Sequence, residues 1–311
     1  MPAPVAMRAA NIGRWINRHE RGLQSELYRP SRRYDVVVFL KTMDAAAQAE
    51  AARIQEAGGR VVFDANVNYY EIWGEYEQPN TRPTDEQQRD ALAMTRLADW
   101  VVADSSYLLQ IVRKHTDRAS WIPDNVDTRL FRPPRRRGGD ALQVVWSGMA
   151  AKARPLLDVR EALEASGAEL TIVSNEEPAE LAELRRAVPV RFVSFSLRRY
   201  AEILREANVI VSPKRLVNGY ELGHTEWKIT LGMSAGLAAV ASPQQSYVEA
   251  IAHRGAGIIA AGPGEWWLAL ERLRDPAVRA ELGRRARETV VERYSTPVVA
   301  RKYAELLTSL A

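Results

Sequence analysis

The strongest constraint on this chain is a repeated alternation. Short apolar, β-branched runs alternate with helix-forming segments over residues 34–122 and again over 142–260. Residues 34–40 (YDVVVFL), 60–64 (RVVFD), 99–103 (DWVVA) and 119–122 (ASWI) make the first series. These runs are apolar at nearly every position rather than every second one, which fits strands covered on both faces. Strands separated by helices imply a parallel sheet, because parallel neighbours need a crossover long enough to hold a helix. Helices are expected over 8–23, where Ile12, Trp15, Ile16 and Leu23 fall on or near one face, over 44–57 and over 106–115.

Residues 132–140 (RPPRRRGGD) break the pattern with two prolines, a run of three arginines and two glycines, which is linker chemistry. Alternation then restarts with strands expected at 142–146, 169–173, 190–193, 208–212, 237–241 and 257–260, followed by helices at 277–293 and 297–310. Six strands with helices between them describe a doubly wound unit, whose ligands bind at the carboxyl ends of the strands. Two α/β domains are therefore expected, at 1–136 and 137–296. The first series opens with a helix where a doubly wound domain opens with a strand and a Gly-rich turn. The N-terminal domain is thus expected to lack its first strand.

Composition narrows the partners. A chain of 311 residues carrying net charge +4 suits a phosphate-bearing ligand or an anionic membrane surface, and the excess is too small to argue for nucleic acid. The absence of cysteine excludes disulfides and thiolate chemistry and fits a cytoplasmic protein. The four histidines have no metal-ligand spacing, so no metal site and no cofactor are expected. No apolar run is long enough to span a membrane, and the N-terminal stretch lacks the apolar core of a secretory signal.

Two segments place chemistry at strand ends. In Val145-Trp146-Ser147-Gly148-Met149-Ala150-Ala151-Lys152, a strand runs into a small-residue loop. Ser147 and Gly148 would let backbone amides approach a phosphate, Lys152 would supply countercharge, and Arg154 a fork. An ordinary strand-to-helix turn with a solvated lysine is the alternative. The second segment follows the strand at 208–212. A polar loop, 214–226, contains His224 and leads through Thr225, a candidate N-cap, and Glu226 into a helix with Lys228 in its first turn. A cation is disfavoured at that end of a helix, and a bound anion would compensate it. A capped structural loop is the alternative. Ser174 and Phe195, just beyond two further strands, complete the nucleotide-side candidates. In the first series, Asp64, Asn66 and Asn68 follow a strand directly and are the candidates for acceptor contacts, with a turn that caps the next helix as the alternative.

These segments fall in an ordered series that resembles the retaining nucleotide-sugar glycosyltransferases of the GT-B fold, the group that includes bacterial polysaccharide and lipopolysaccharide transferases. Val101-Val102-Ala103-Asp104-Ser105-Ser106 is similar to the family's strand ending in serine. Ile122-Pro123-Asp124-Asn125-Val126-Asp127, with Phe131 and Pro133, is similar to its segment closing the first domain. Ser147-Gly148 with Lys152 resembles the donor-phosphate loop, and residues 228–242 (KITLGMSAGLAAVAS) resemble the helix and strand that follow it. Two departures stand out. The family's two glutamates, eight positions apart, fall on Leu231 and Gly223, and the opening strand with its Gly-rich turn is not visible.

The resemblance implies two Rossmann-like domains facing across a cleft. It also implies a C-terminal helix, 297–311, that crosses back to the N-terminal domain, where its stripe of Val298, Val299, Tyr303, Leu306 and Leu307 would be buried. It implies transfer of a sugar from a nucleoside diphosphate sugar to a hydroxyl of a glycan or glycolipid, with retention and without metal. Lys152 and Lys228 would stabilise the leaving diphosphate, and ribose contacts would come from Glu226 or Thr225. The setting implied is bacterial glycan synthesis in the cytoplasm or at the inner membrane face. Two rivals stand beside this reading: a catalytically degenerate sugar-nucleotide or carbohydrate-binding partner, and a sugar-nucleotide epimerase, which would ask for more His and Glu at the site.

Overall fold

All ten apolar runs become strands, and each begins and ends within two residues of its expected position. In the computed structural model, which describes residues 6–78, 80–134 and 141–311, they form two separate, wholly parallel sheets. The expected domain boundary at 136/137 lies outside the described residues. The chain divides into one compact unit of Met1–Asn125, Val217–Thr225 and Ser295–Ala311, and a second of Val126–Leu216 and Glu226–Tyr294. Among the described residues no helix is long and apolar enough to cross a membrane.

The first sheet joins β1 (Val36–Leu40), β2 (Arg60–Ala65), β3 (Trp100–Ala103) and β4 (Ala119–Trp121) in chain order. Alternation within β2 shows why these runs are apolar throughout. Val61, Phe63 and Ala65 enter a core with Ala51 and Ile54 of the helix Ala45–Glu56 and Met94 of the helix Asp85–Leu97. Val62 faces the other way, onto Ile12 and Ile16 of the helix Ile12–His19 and onto Val299, Ala300, Tyr303 and Ala304 of the C-terminal helix Thr296–Leu310. The N-terminal helix is shorter than its sequence pattern. Ala6–Asn11 is a π-helical turn, and the α-helix ends at His19, four residues before Leu23. The first described element is thus helical, and the strand order runs β1-β2-β3-β4 without reversal.

Asp64 follows Val62 onto the same face, which is otherwise apolar. Its carboxylate accepts two bonds from Arg8 Nε, at 3.1 and 2.9 Å, and one from the Tyr303 hydroxyl. Arg8 also donates to Asp124 at 3.0 Å and to the Ile122 carbonyl at 2.8 Å. Burial works against the charge on Arg8, but Asp64, with Tyr303 and Asp124 behind it, outweighs that and pushes the guanidinium pKa well above its usual value. One ion pair therefore fastens the N-terminal turn and the C-terminal helix to the end of β2.

The second sheet joins β5 (Gln143–Ser147), β6 (Glu169–Ser174), β7 (Val190–Ser194), β8 (Val209–Ser212), β9 (Ala238–Ala241) and β10 (Gly257–Ile259) in the order β10-β9-β8-β5-β6-β7. Here the winding reverses between β5 and β8. A doubly wound sheet opens a crevice at the carboxyl ends of the strands that flank such a reversal. The helix Trp227–Ser234 packs beside β8 at close range, because a Cβ at Gly232 would lie 2.6 Å from Ile210 Cδ1. Ile229, Thr230, Leu231, Gly232, Met233 and Ser234 are all buried, as expected of a helix enclosed on every side.

Arg8→Met would leave Asp64 buried without its counter-ion, at a cost of about 3–5 kcal/mol, and Asp64→Leu added to it is expected to recover most of that loss. Urea denaturation of the two variants measures both. A loss below about 1 kcal/mol for Arg8→Met would remove the pair from the forces that hold the first unit together.

Candidate functional site

In the second unit the carboxyl ends of β5 and β8 bring several sequence candidates together. β5 ends in Ser147, and Gly148 follows. The glycine contributes space rather than a donor: its N–H is committed to the Val173 carbonyl at 3.1 Å, contrary to the expectation of a free amide there. A Cβ at position 148 would lie 2.8 Å from the six-membered ring of Trp146 and 3.2 Å from Lys228 Nζ. Lys228 is the second residue of the helix Trp227–Ser234, and its ammonium stands 5.3 Å from the Trp146 ring centroid. The Ser147 hydroxyl is also engaged, 2.7 Å from the Tyr200 hydroxyl, whose pKa burial pushes up.

Lys152 closes the short 3₁₀ turn Ala150–Lys152 that continues the loop and is half-buried, while Arg154 is exposed at the start of the helix Pro155–Asp158. The turn is pinned by Asn175, whose side-chain oxygen accepts from the Ala150 N–H at 2.9 Å and from the Ser174 hydroxyl at 3.2 Å. Ser174 is buried at the end of β6. Phe195 is exposed just past β7, with its ring 5.9 Å from that of Tyr200, and offers a flat apolar surface. Lys214, just past β8, has its backbone N–H on Ser242 Oγ at 2.9 Å and its ammonium 5.3 Å from the Tyr247 ring. Sequence reasoning passed over Trp146, Asn175 and Lys214. The signal for the lysine was its place two residues beyond a strand at the winding reversal.

Two nucleotide-side candidates, His224 and Thr225, lie in the first unit. Residues 217–225 join the first unit rather than the second, through an antiparallel bridge between Gly74 and Asn218 and a bond from Asn68 Nδ2 to the Gly219 carbonyl. His224 accordingly packs edge-on against Tyr220, and Thr225 donates to Asp124 at 2.9 Å. Thr225 is not the helix N-cap, because the helix starts at Trp227. Glu226 takes that position, with its carboxylate buried at 1% exposure and no side-chain capping bond.

In the first unit the acceptor candidates sit where parallel strands end. Asp64 is held by Arg8 and Tyr303. Asn68 is buried, and its oxygen accepts from the N–H groups of Tyr70 and Glu71. Asn66 is half-buried and makes only long contacts, 3.4 Å to Asp64 and 3.5 Å to Asp104. Asp104, a residue the sequence did not single out, follows β3 and is 3% exposed, with Oδ1 lacking a hydrogen-bond partner among the described residues. Burial raises its pKa well above the usual carboxylate range. The charge of Asp124 adds to this and Arg8 offsets it in part. Arg8 pairs with Asp64 and Asp124, and Asp104 feels its charge without bonding to it, so Asp104 is the carboxyl of the three whose pKa is raised.

Residues 147–275 match the sequence profile of a family described as glycosyl transferases group 1. No curated protein matches the chain. Among solved structures, a TarM variant from S. aureus, crystallised with UDP, fondaparinux and α-GlcNAc-glycerol, is similar at a TM-score of 0.66 and 13% identity, over 87% of this chain and 55% of TarM. Sucrose-phosphate synthase from Thermosynechococcus elongatus is similar at 0.65 and 17% identity, over 89% of this chain and 74% of the synthase. HepE from Anabaena, with UDP and glucose, is similar at 0.65 and 15% identity, over 89% and 78%. The chain has the GT-B fold. It spans about half the length of TarM. The GT-B assignment rests on the coordinates, whereas the family match is confined to the second half, where the donor-side candidates lie.

The Asp104 carboxyl gives a pH test. Its pKa is higher folded than unfolded, so its contribution to stability is complete below the unfolded value and is lost as pH rises through the folded one. Asp104→Asn removes this loss. The variant is expected to melt above the wild type at pH 8 and to lose that advantage toward pH 4. Parallel melting curves across this range would show that Asp104 is ionised in the folded protein.

Proposed function

We propose that this chain is a glycosyltransferase that moves a sugar from a nucleoside diphosphate sugar to a hydroxyl of a glycan or glycolipid acceptor, with retention of anomeric configuration. The observation that carries this reading is the placement of the Lys228 ammonium directly over Gly148, at the winding reversal of the second sheet. A glycine that admits a lysine to the loop, and the amide end of the helix that carries this lysine, make a site suited to two linked phosphates. The match to group 1 glycosyl transferases over the same residues supports it.

In this reading Lys228 and Lys152 take the charge that develops on the diphosphate as the sugar departs. Groups aimed at developing charge are worth about 10²–10³ in rate apiece. Phe195 supplies a face for the base, and Ser174 with Asn175 the polar contacts near it. Arg154, His224, Thr225 and Glu226 are secondary candidates, since Arg154 is exposed, His224 packs on Tyr220, Thr225 donates to Asp124, and the Glu226 carboxylate is buried. Acceptor hydroxyls meet Asn66 in preference to Asp64 or Asn68, whose side chains already hold the first unit together. Retention follows if the acceptor attacks from the face the diphosphate leaves, with the diphosphate oxygen taking the acceptor proton and no protein nucleophile required. The chain acts without a metal, because the two lysines supply the countercharge. Bacterial glycan or glycolipid assembly, in the cytoplasm or at the inner membrane face, is the setting this chemistry suits.

A second reading, a sugar-nucleotide-binding partner without turnover, draws support from the internal bonding of Asp64 and Asn68. One assay separates the two. A thermal-shift panel of UDP-, GDP-, ADP- and TDP-sugars is expected to show one donor that stabilises the protein, by about 2.7 kcal/mol at 100 times its Kd. That donor with a glycan acceptor should give turnover that survives EDTA. Binding without turnover would favour the partner reading, activity restored only by Mn²⁺ or Mg²⁺ would overturn the metal-free step, and a flat panel would overturn both readings.

A further inference from the structure

We propose that Trp146 is the positioning residue that sets the Lys228 ammonium for the diphosphate, an inference that rests on the donor reading above. Trp146 is the penultimate residue of β5, 1% exposed, and anchored in the core of the second unit with Val144, Leu170 and Val209. Its side chain cannot move without disturbing that core. The six-membered ring extends from this anchor to the underside of the Gly148 loop. There Cζ2 and Cη2 both lie 2.8 Å from the place a Cβ at 148 would occupy, and Lys228 Nζ lies 3.2 Å from the same point. Indole, glycine and ammonium therefore share one spot, with the ammonium 5.3 Å from the ring centroid. Any larger residue at 148 would drive the ring and the ammonium apart.

The chemistry of an indole suits this task better than a carboxylate would. The electron-rich ring attracts a cation through its quadrupole, most strongly for tryptophan and where water is excluded. It carries no net charge, so it holds the ammonium without neutralising it. An Asp or Glu in that place would hold the lysine more tightly but would compete with the phosphate for it and repel the ligand. The long lysine side chain, which otherwise loses rotamer freedom when a ligand binds, is ordered beforehand. Trp146 thus touches neither sugar nor phosphate and acts through Lys228.

The test compares Trp146→Leu, which keeps an apolar core residue and removes the ring, with a fluorinated tryptophan placed only at 146, which keeps the shape and weakens the quadrupole. Binding of UDP, GDP, ADP and TDP is measured by calorimetry, with the matching monophosphates alongside, in wild-type and Lys228→Met backgrounds. For whichever diphosphate the wild type binds, the fluorinated protein is expected to lose about tenfold in affinity while its monophosphate affinity and melting temperature hold. In the Lys228→Met background the fluorinated residue should have no effect, since the cation it acts on is gone. If Trp146→Leu folds poorly, the fluorinated protein alone decides. Wild-type diphosphate affinity in the fluorinated protein, or an equal loss with Lys228→Met, would overturn the role of Trp146 and leave the donor reading standing. A Lys228→Met protein that binds diphosphate normally, or a wild type that binds none of the four, would overturn the donor reading and this proposal with it.

Discussion

The placement of charge in the second unit depends on the reversal of winding between β5 and β8. At every other pair of neighbouring strands the chain passes from one strand to the next in sequence. At the reversal the chain leaves β5 in one direction and β8 in the other, so their carboxyl ends stay open. Ser147-Gly148 emerges from one side of that opening and Lys214 from the other. The helix Trp227–Ser234 brings Lys228 to the Gly148 side. Gly232 lets that helix press close to Ile210, and a bulkier residue at 232 would lift Lys228 away with the helix. A backbone constraint at one end of the helix and a ring at the other thus fix where a single ammonium stands.

The first unit solves a different problem. Its sheet ends in three aspartates, Asp64, Asp104 and Asp124, on or just beyond adjacent strands, and only Arg8 stands among them as a cation in the described contacts. Arg8 comes from a turn before the first helix, and the Tyr303 hydroxyl that joins it comes from the last helix. The two ends of the chain therefore meet on one carboxylate. Burying that pair is not by itself a gain in stability, because desolvation of both charges offsets their attraction. What the pair does is to make other packings of these helices expensive, since each would leave a buried charge unmatched.

The strands were legible in the sequence because a strand covered on both faces leaves no polar positions to blur its ends. Trp100–Ala103 and Val209–Ser212, buried along nearly their whole length, are read as directly from composition as from coordinates. The nearness of Gly148 and Lys228 was legible only as two separate loops, since nothing local says that residues eighty apart share a point in space. Trp146 was hidden for a related reason: in sequence it is one more apolar strand residue, and its role depends on where its ring ends. The Arg8–Asp64 pair spans 56 positions and left no pattern at all. The segment 217–225 was misassigned because contiguity in sequence is the default inference, and the bridge from Gly74 to Asn218 and the bond from Asn68 to Gly219 show otherwise. Thr225 satisfied the rule for an N-cap, but the helix starts one residue later, with Glu226 in the cap position, and the Thr225 hydroxyl donates to Asp124.

If the lysine over Gly148 exists to hold a second phosphate, the protein must distinguish a nucleoside diphosphate from the corresponding monophosphate. Calorimetry with UDP against UMP, and with the guanosine pair in parallel, measures this on the intact chain. A charge-assisted contact of about 1.5–3 kcal/mol predicts that the preferred diphosphate binds roughly 10- to 100-fold tighter than its monophosphate, and that Lys228→Met abolishes most of that ratio. Equal affinity for the two nucleotides, or a ratio untouched in a folded Lys228→Met protein, would contradict the account.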